Sequence, residues 1–198
     1  PEALRACGVP AAEICKAEVT DAATLVGVCD GIDVVITTVG ITRQKDGLSY
    51  MDVDYQANMN LLAEAQRAGV KRFVYVSVLN GEHMRELKIC DAKERFVDEL
   101  RASGINACVI RPNGFFSDMG EILAMARKGR VWLFGDGELR SNPIDGADLA
   151  VVCADALSSD EAEVLAGGPD ILTQNAIAQV AFDALSLPAR ITHVPDGV

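Results

Sequence analysis

A lysine in an apolar helical position is the residue of this sequence with the clearest potential for chemistry. Lys93 lies in a helical pattern whose apolar stripe otherwise consists of Ile89, Val97 and Leu100. A lysine in that register is displaced from the solvent-facing side of the helix. Its ammonium could reach a ligand hydroxyl or a reacting carbonyl. Alternatively, its stem could lie along the apolar surface and keep the ammonium in water.

Three segments place small or polar residues directly after a short apolar run. They are residues 37–40 (TTVG), 77–81 (SVLNG) and 111–116 (RPNGFF). In open α/β sheets, ligands bind at the carboxyl ends of the strands, and small residues let the backbone approach a ligand closely. One such segment alone would indicate only a turn, whereas three in succession predict a shared site. The residues expected to meet there are Gly40, Ser77, Lys93 and Asn113.

Alternating strands and helices are predicted to hold these segments. Apolar runs predict strands at 33–40, 72–78 and 106–110. Helical periodicity covers residues 53–68 and 86–102, which Gly69 and Gly104 end. Such alternation is typical of a parallel sheet with helices on both faces. The fold class is therefore α/β, a doubly wound parallel sheet in which the neighbouring strands end at Thr37, Val76 and Ile110.

The rest of the chain is more irregular, and residues 114–198 are predicted to include a small lobe on the substrate side. Its helices are expected at 121–128, 147–157 and 173–185, the last with Thr173 as N-cap. Short strands are expected at 131–134, 164–166 and 190–194. Near the start, a weak strand is predicted at 14–17, followed by a helix that Asp21 could cap.

Composition and charge exclude several classes of function. The 198 residues carry a formal net charge of -11, which disfavours binding to nucleic acid or to anionic membrane surfaces. No apolar run reaches the roughly 18 residues that a membrane span requires. The six cysteines and two histidines have no metal-ligand spacing, so no metal site is predicted. Cysteines in apolar company indicate buried free thiols in a reducing intracellular compartment.

Two long stretches carry a family resemblance. DVDYQANMNLLAEAQRAGVKRFVYVSVLNG, at residues 52–81, and AKERFVDELRASGINACVIRPNGFF, at residues 92–116, resemble the atypical short-chain dehydrogenase/reductases. The later run NPIDGADLA is similar to another segment of that superfamily. Together the three favour its NmrA-like branch. The resemblance implies a Rossmann core that holds NADP or NAD.

The cofactor contacts that the resemblance implies lie in four places. Glu18 and Val19 would flank the adenine, and Thr38, Val39 and Gly40 would lie beside the adenosine ribose and phosphates. Asn58 is the helix asparagine that would support the site. The residues beside the nicotinamide would be Pro112, Asn113, Gly114 and Phe115. Ser77 and Lys93 match the catalytic serine and the lysine of the family's Tyr-x-x-x-Lys motif, and both also contact the cofactor.

Two departures from the family pattern bear on activity. Ile89 stands four residues before Lys93, where the family's tyrosine would donate a proton, and His83 in the polar loop GEHMREL is an alternative donor or a surface histidine. No Gly-x-Gly-x-x-Gly run occurs, and that loop binds the pyrophosphate at a helix N-terminus. The chain is thus expected to be one Rossmann-like domain, residues 1–198, that lacks the N-terminal βαβ unit of a longer native protein and binds NAD(P)H weakly alone.

The resemblance leaves two classes of function open. One is an oxidoreductase that passes a hydride between the nicotinamide and a small carbonyl or alkene substrate, with Lys93 and Ser77 at the reacting centre. The alternative is a non-catalytic Rossmann subunit or assembly factor of a larger respiratory or photosynthetic complex, or an NmrA-like redox-sensing regulator. The expected location is the cytoplasm, or an organelle stroma or matrix if a targeting peptide has been removed.

Overall fold

The computed structural model describes residues 2–41 and 47–195, and the chain divides into two compact units. The first comprises Pro1–Ile110 with Ala156–Val164, and the second comprises Arg111–Asp155 with Leu165–Val198. Within the described ranges, no helix is both long and apolar enough to cross a membrane.

The secondary structure alternates along most of the chain. The strands are β1 (Val34–Thr37), β2 (Arg72–Val76), β3 (Asn106–Pro112), β4 (Val131–Phe134), β5 (Arg140–Ser141), β6 (Glu163–Ala166), β7 (Leu172–Thr173) and β8 (Ile191–Val194). The α-helices are α1 (Glu2–Ala6), α2 (Asn58–Ala68), α3 (Lys88–Ala102), α4 (Gly120–Arg127), α5 (Gly146–Ala156) and α6 (Gln174–Ala184).

A parallel sheet forms the centre of the first unit, as the sequence predicted. Its strand order is β1-β2-β3-β6. Parallel register aligns Thr37 with Tyr75 and Val76 with Ile110. Every residue of β2 is buried, because a central parallel strand is covered on both faces. The fold is therefore the expected Rossmann-like α/β arrangement.

Two helices, α2 and α3, supply most of the core that packs on this sheet. The fully buried side chains of the cluster belong to α2 (Leu62, Ala65), β2 (Phe73, Tyr75), α3 (Phe96, Val97, Leu100) and β3 (Val109). The aromatic rings of Tyr75 and Phe96 meet edge to face, with their centroids 4.7 Å apart. Aromatic pairs of this kind add stability beyond the area that they bury. This packing fixes α3 relative to the strand beneath it.

A buried arginine joins the first residue of β2 to Ala156–Val164, the last part of the first unit. Arg72, the first residue of β2, donates hydrogen bonds to the carbonyl oxygens of Ala156 and Glu161 and to the side chain of Asn106. A buried guanidinium is tolerated only when its donors find acceptors. Ala156 is the buried last residue of α5, so Arg72 also satisfies a carbonyl at a helix C-terminus.

The second unit has its own core and two small sheets. Strands β4 and β8 pair in parallel, and β5 pairs with β7 in antiparallel register. Alternation along β4 turns Val131 and Leu133 inward against α4 and α6, and leaves the rings of Trp132 and Phe134 exposed. The short strands β5 and β7 were not predicted, because each has only two residues.

Local signals in the sequence match the observed ends of several elements. Thr173 accepts a hydrogen bond from the amide of Ala176 and caps α6, and Asp21 accepts one from Ala23 at the start of a short 3₁₀ helix. Gly69 ends α2 in the left-handed conformation, φ 76°, as expected for a glycine stop.

The weak strand predicted at 14–17 is wrong. An extended segment becomes a strand only beside a partner, and in the described part of the chain β1 pairs only with β2.

Candidate functional site

The ammonium of Lys93 forms an ion pair inside the first unit. Its Nζ lies 3.0 Å from Oδ1 of Asp54, a carboxylate that is fully buried, and the lysine side chain itself is 13% exposed. The ammonium therefore does not extend into bulk water. A buried charge of either sign is costly unless an opposite charge compensates it. Each of these two residues thus depends on the other for its place in the interior.

An irregular helical segment brings Asp54 to this position. Residues Met51–Ala57 form π-helical turns directly before α2, whereas a continuous helix over 53–68 had been predicted. In a π-turn the usual i to i+4 bonding is interrupted, and such turns occur often at functional sites. The side-chain amide of Asn58 donates to the carbonyl oxygens of Val53 and Asp54, at 3.3 and 3.0 Å. Asn58 therefore holds the main chain of Asp54 in place.

Asn58 also joins this segment to the end of β1. Its amide oxygen accepts a hydrogen bond from the Thr37 hydroxyl at 2.8 Å, and its amide nitrogen donates to the carbonyl of Val39 at 3.1 Å. Asn58 thus links β1, the segment after it and the π-helical turns, and its role in supporting a cofactor stays a prediction. Thr38, between the two residues that Asn58 bonds, is exposed.

Gly40 lies against the ion pair itself. A β-carbon at this position would be 2.6 Å from Oδ1 of Asp54 and 3.0 Å from Nζ of Lys93. Real Cβ atoms do not approach so closely, so the absence of a side chain is what allows the chain to pass here. The next amide, that of Ile41, donates to Oδ2 of Asp54 at 3.3 Å. Gly40 and Lys93, both predicted site residues, are thus neighbours.

The aromatic ring of Tyr75 faces the Lys93 ammonium. Nζ of Lys93 is 5.5 Å from the centre of the ring, within the range of a cation–π interaction. Because Tyr75 is itself packed on Phe96, the ring presents a fixed surface. Lys93 is therefore bounded by a carboxylate, a glycine backbone and an aromatic face.

Ser77 and Glu94, the residue that follows Lys93 on α3, form a second buried contact. The Ser77 hydroxyl donates to Oε1 of Glu94 at 3.0 Å, and both residues are buried. Gly81 closes over the carboxylate, since a β-carbon there would be 2.5 Å from the same oxygen. The serine hydrogen therefore points to Glu94 and leaves the oxygen lone pairs for other partners.

The predicted adenine pair, Glu18 and Val19, lies at the surface. The Glu18 carboxylate accepts hydrogen bonds from the hydroxyl and the amide of Thr20, which lower its pKa below the ordinary value. The carbonyl of Val19 accepts a hydrogen bond from the Asn60 side chain at 3.1 Å. These contacts place the pair beside α2, with no direct contact recorded to the Lys93 ion pair among the described residues.

The predicted nicotinamide loop belongs to the second unit, where neighbouring loops hold its backbone. Asn113 donates from its main chain to Ala166 and from its side chain to Oδ1 of Asn142, at 3.1 and 2.5 Å. The carbonyl of Gly114, a residue with φ 102°, accepts from the amide of Ile144. The segment from Pro112 to Phe115 is thus firmly held within its unit.

Two acidic residues at the site were missed in the sequence. Asp54 is buried four residues before Asn58, and Glu94 follows Lys93 in the register of Cys90 and Val97. An acidic residue in the apolar register of an α-helix is as unusual as the lysine that was noticed, so the same rule would have found Glu94. Asp54 lies before α2, in π-helical turns to which that register does not apply. By contrast, His83 is 77% exposed beside Glu82, as expected for a surface histidine.

Comparison with known proteins places the chain among nucleotide-binding proteins. A family described as NAD(P)H-binding matches residues 1–160. The chain is 28% identical to divinyl chlorophyllide a 8-vinyl-reductase of Arabidopsis thaliana over 93% of its length, and 30% identical to the photosystem II assembly factor Ycf39 of Guillardia theta over 59%. It spans 48% and 37% of the lengths of these two relatives.

Solved structures of similar fold include an NADPH-dependent quinone oxidoreductase of Escherichia coli in complex with NADPH. The two structures superpose with a TM-score of 0.78 and 20% sequence identity, over 98% of this chain and 65% of the other. This likeness supports the fold described above.

Proposed function

Because the chain belongs to the NAD(P)H-binding family, with the fold of the atypical short-chain dehydrogenase/reductases, we propose that it serves hydride transfer between a nicotinamide dinucleotide and a small carbonyl or alkene substrate. The observation that carries this proposal is the Lys93–Asp54 pair beneath Gly40. The partly exposed lysine lies beside the backbone of Gly40, which carries no side chain. The two meet just after the carboxyl end of β1, where ligands of such sheets bind.

The residues of the first unit fit the ribose half of such a cofactor. Gly40 has no β-carbon that would keep a ligand away from the backbone, and the 13% of Lys93 that remains exposed offers a donor to a ribose hydroxyl. The pyrophosphate half has no counterpart in this sequence, which contains no Gly-x-Gly-x-x-Gly run. When bound, the cofactor supplies the hydride.

The polar groups of the chain then have distinct tasks. Lys93 donates a hydrogen bond to the ribose, and it is the proton-bearing group proposed for the substrate oxygen. The hydroxyl of Ser77 already donates to Glu94, so its oxygen acts toward a ligand as an acceptor. Asn113 and Gly114 are proposed to meet the nicotinamide, and Glu18 and Val19 the adenine, as the family resemblance implies.

A non-catalytic role is the second candidate, and a specific observation favours it. Lys93 is ion-paired with Asp54, the Ser77 hydrogen is bonded to Glu94, and position 89 holds isoleucine in place of the family's tyrosine. A nucleotide-binding subunit needs no free proton donor. The exposed rings of Trp132 and Phe134 on β4 offer such a subunit an apolar contact surface, and one relative is an assembly factor.

A reducing compartment is proposed for either role. All six cysteines are free thiols; Cys29, Cys90 and Cys108 are buried, as expected, whereas Cys7 and Cys15 are exposed. Exposed thiols persist in a reducing environment such as the cytoplasm or an organelle stroma.

Titration and turnover together test the proposed function. The chain is titrated with NADPH and with NADH, following the nicotinamide fluorescence, and then supplied with ketone, enone and vinyl-bearing substrates. Binding with turnover that Lys93→Met abolishes supports an enzyme. Binding without turnover on any substrate supports the subunit. The absence of even the weak binding expected of this chain, for both nucleotides, contradicts both roles.

A further inference from the structure

We propose that Asp54 is a positioning residue for Lys93: its buried carboxylate fixes the ammonium in the orientation in which it meets a ribose hydroxyl of the dinucleotide. The inference rests on the proposed function for the identity of that ligand. It assigns a role to a residue that lies four positions before Asn58, in the π-helical turns, and that does not contact the ligand itself.

The first step is that Asp54 is held more firmly than the lysine it contacts. Its carboxylate is fully buried, receives the Ile41 amide on Oδ2 and faces Nζ with Oδ1. Its main-chain carbonyl is bonded to the Asn58 side chain, which is bonded in turn to Thr37 on β1. The segment after β1 thus holds the carboxylate of Asp54, and β1 holds its main chain through Asn58.

The second step is that Lys93 has few orientations left. A lysine stem has four rotatable carbons and a compact ammonium whose hydrogens point in three directions. Oδ1 of Asp54 lies 3.0 Å from Nζ as its ion-pair partner, and the centre of the Tyr75 ring lies 5.5 Å from Nζ. Gly40 leaves the ammonium uncovered where any other residue would collide with it. The ammonium is therefore confined by these neighbours, while 13% of the lysine side chain stays exposed.

A carboxylate that served stability alone would not need this geometry. If the pair served stability alone, Asp54 and Lys93 could be replaced together by apolar residues without any loss of ligand affinity. A positioning pair predicts that the order of the Lys93 side chain, and the affinity for a ligand hydroxyl, both depend on Asp54. The two roles differ in what they predict for the isosteric variant Asp54→Asn.

The experiment measures side-chain order and nucleotide affinity on the whole chain. Carbon-13 relaxation of the lysine ε-carbons reports picosecond to nanosecond motion of Lys93 in the absence of any ligand. The exposed pair Lys71–Asp33, with Nζ 2.8 Å from Oδ1, is the matched control, together with the variant Asp33→Asn. Titration with NADPH then compares wild type, Asp54→Asn, Lys93→Met and the double variant.

We expect an ordered Lys93 ε-carbon in the wild type and one as mobile as that of Lys71 in Asp54→Asn, with no change at Lys93 in Asp33→Asn. NADPH affinity should fall about tenfold in Asp54→Asn and in Lys93→Met, as for the loss of a hydrogen bond to a charged group, with no further loss in the double variant. If Asp54→Asn does not fold, Gly40→Ala serves instead, because its β-carbon displaces both partners.

Two results would overturn the inference. One is a Lys93 ε-carbon that stays equally ordered in Asp54→Asn or Gly40→Ala, and the other is NADPH affinity that Asp54→Asn leaves unchanged while Lys93→Met reduces it. Failure of the proposed function looks different: the wild type would bind neither NADPH nor NADH, while the relaxation of Lys93 would still respond to Asp54→Asn.

Discussion

The Ser77 hydroxyl donates to the buried carboxylate of Glu94 across 3.0 Å. Ser77→Ala would remove a donor from a buried charged group and should lower the free energy of unfolding by about 1–3 kcal/mol. Urea unfolding followed by circular dichroism measures this. Ser159→Ala is the matched control, because the Ser159 hydroxyl is buried and has no hydrogen-bond partner among residues 2–41 and 47–195. That variant should be neutral or slightly more stable, and equal losses in both would contradict the role given to Glu94.

Removal of the ammonium should destabilise the protein. In Lys93→Met the carboxylate of Asp54 stays buried without its cation, which typically costs about 3–5 kcal/mol. A lysine whose ammonium extended into water would give a neutral or stabilising change. The measurement is the urea midpoint of Lys93→Met beside that of Lys71→Met, whose lysine is exposed and whose midpoint should not move. The double variant Asp54→Leu/Lys93→Met should recover part of the loss, since no unpaired charge remains.

Gly168 should tolerate no side chain. A β-carbon there would lie 2.3 Å from the backbone oxygen of Pro143, which cannot rotate away as a side chain could. Gly168→Ala should therefore cost about 1–3 kcal/mol of stability through forced backbone movement. Gly120→Ala, at the first residue of α4 with open space around its β-carbon, provides the comparison and should be neutral or up to about 1 kcal/mol more stable. Thermal unfolding of the two variants decides the point.

Stability should decrease in acid partly through Glu64. The hydrogen bonds from Arg67, with a further one from the Gly27 amide, lower the pKa of Glu64 to about 2 from an ordinary 4.5. A carboxyl with a lowered folded-state pKa stabilises the protein above its unfolded-state pKa, and this contribution is lost as the pH falls from 4.5 toward 2.

Glu64→Gln tests that window. The variant should be less stable than the wild type at pH 6, and the difference in urea midpoint should shrink as the pH falls through 4.5 toward 2. A difference that stays constant over this range would show that the charge of Glu64 does not contribute.

The parallel sheet could be predicted because its strands are short, apolar and separated by helices with clear stops. Val34–Thr37 and Arg72–Val76 are read directly from β-branched and aromatic residues, and Gly69 marks the end of the helix between them. The weak strand at 14–17 could not be judged in the same way, because an extended segment depends on a partner that is distant in sequence.

The candidate site was only half visible in the sequence. Lys93 and Gly40 were found as irregularities, but their partner Asp54 was not, because the π-helical turns that aim it inward interrupt the 3.6-residue period. Helical periodicity assumes continuous α-helix, so a local change of pitch hides the residue that it repositions.

The contacts of Arg72 set the order in which the chain can mature during synthesis. Its acceptors at Ala156 and Glu161 leave the ribosome only after Arg111–Asp155 has been made. The acceptors lie 84 and 89 residues after Arg72, so at about 5–20 residues per second they follow it by roughly 4–18 seconds. Throughout this interval the β3 edge of the nascent sheet lacks its β6 neighbour, and an unpaired strand edge makes a folding intermediate prone to aggregation.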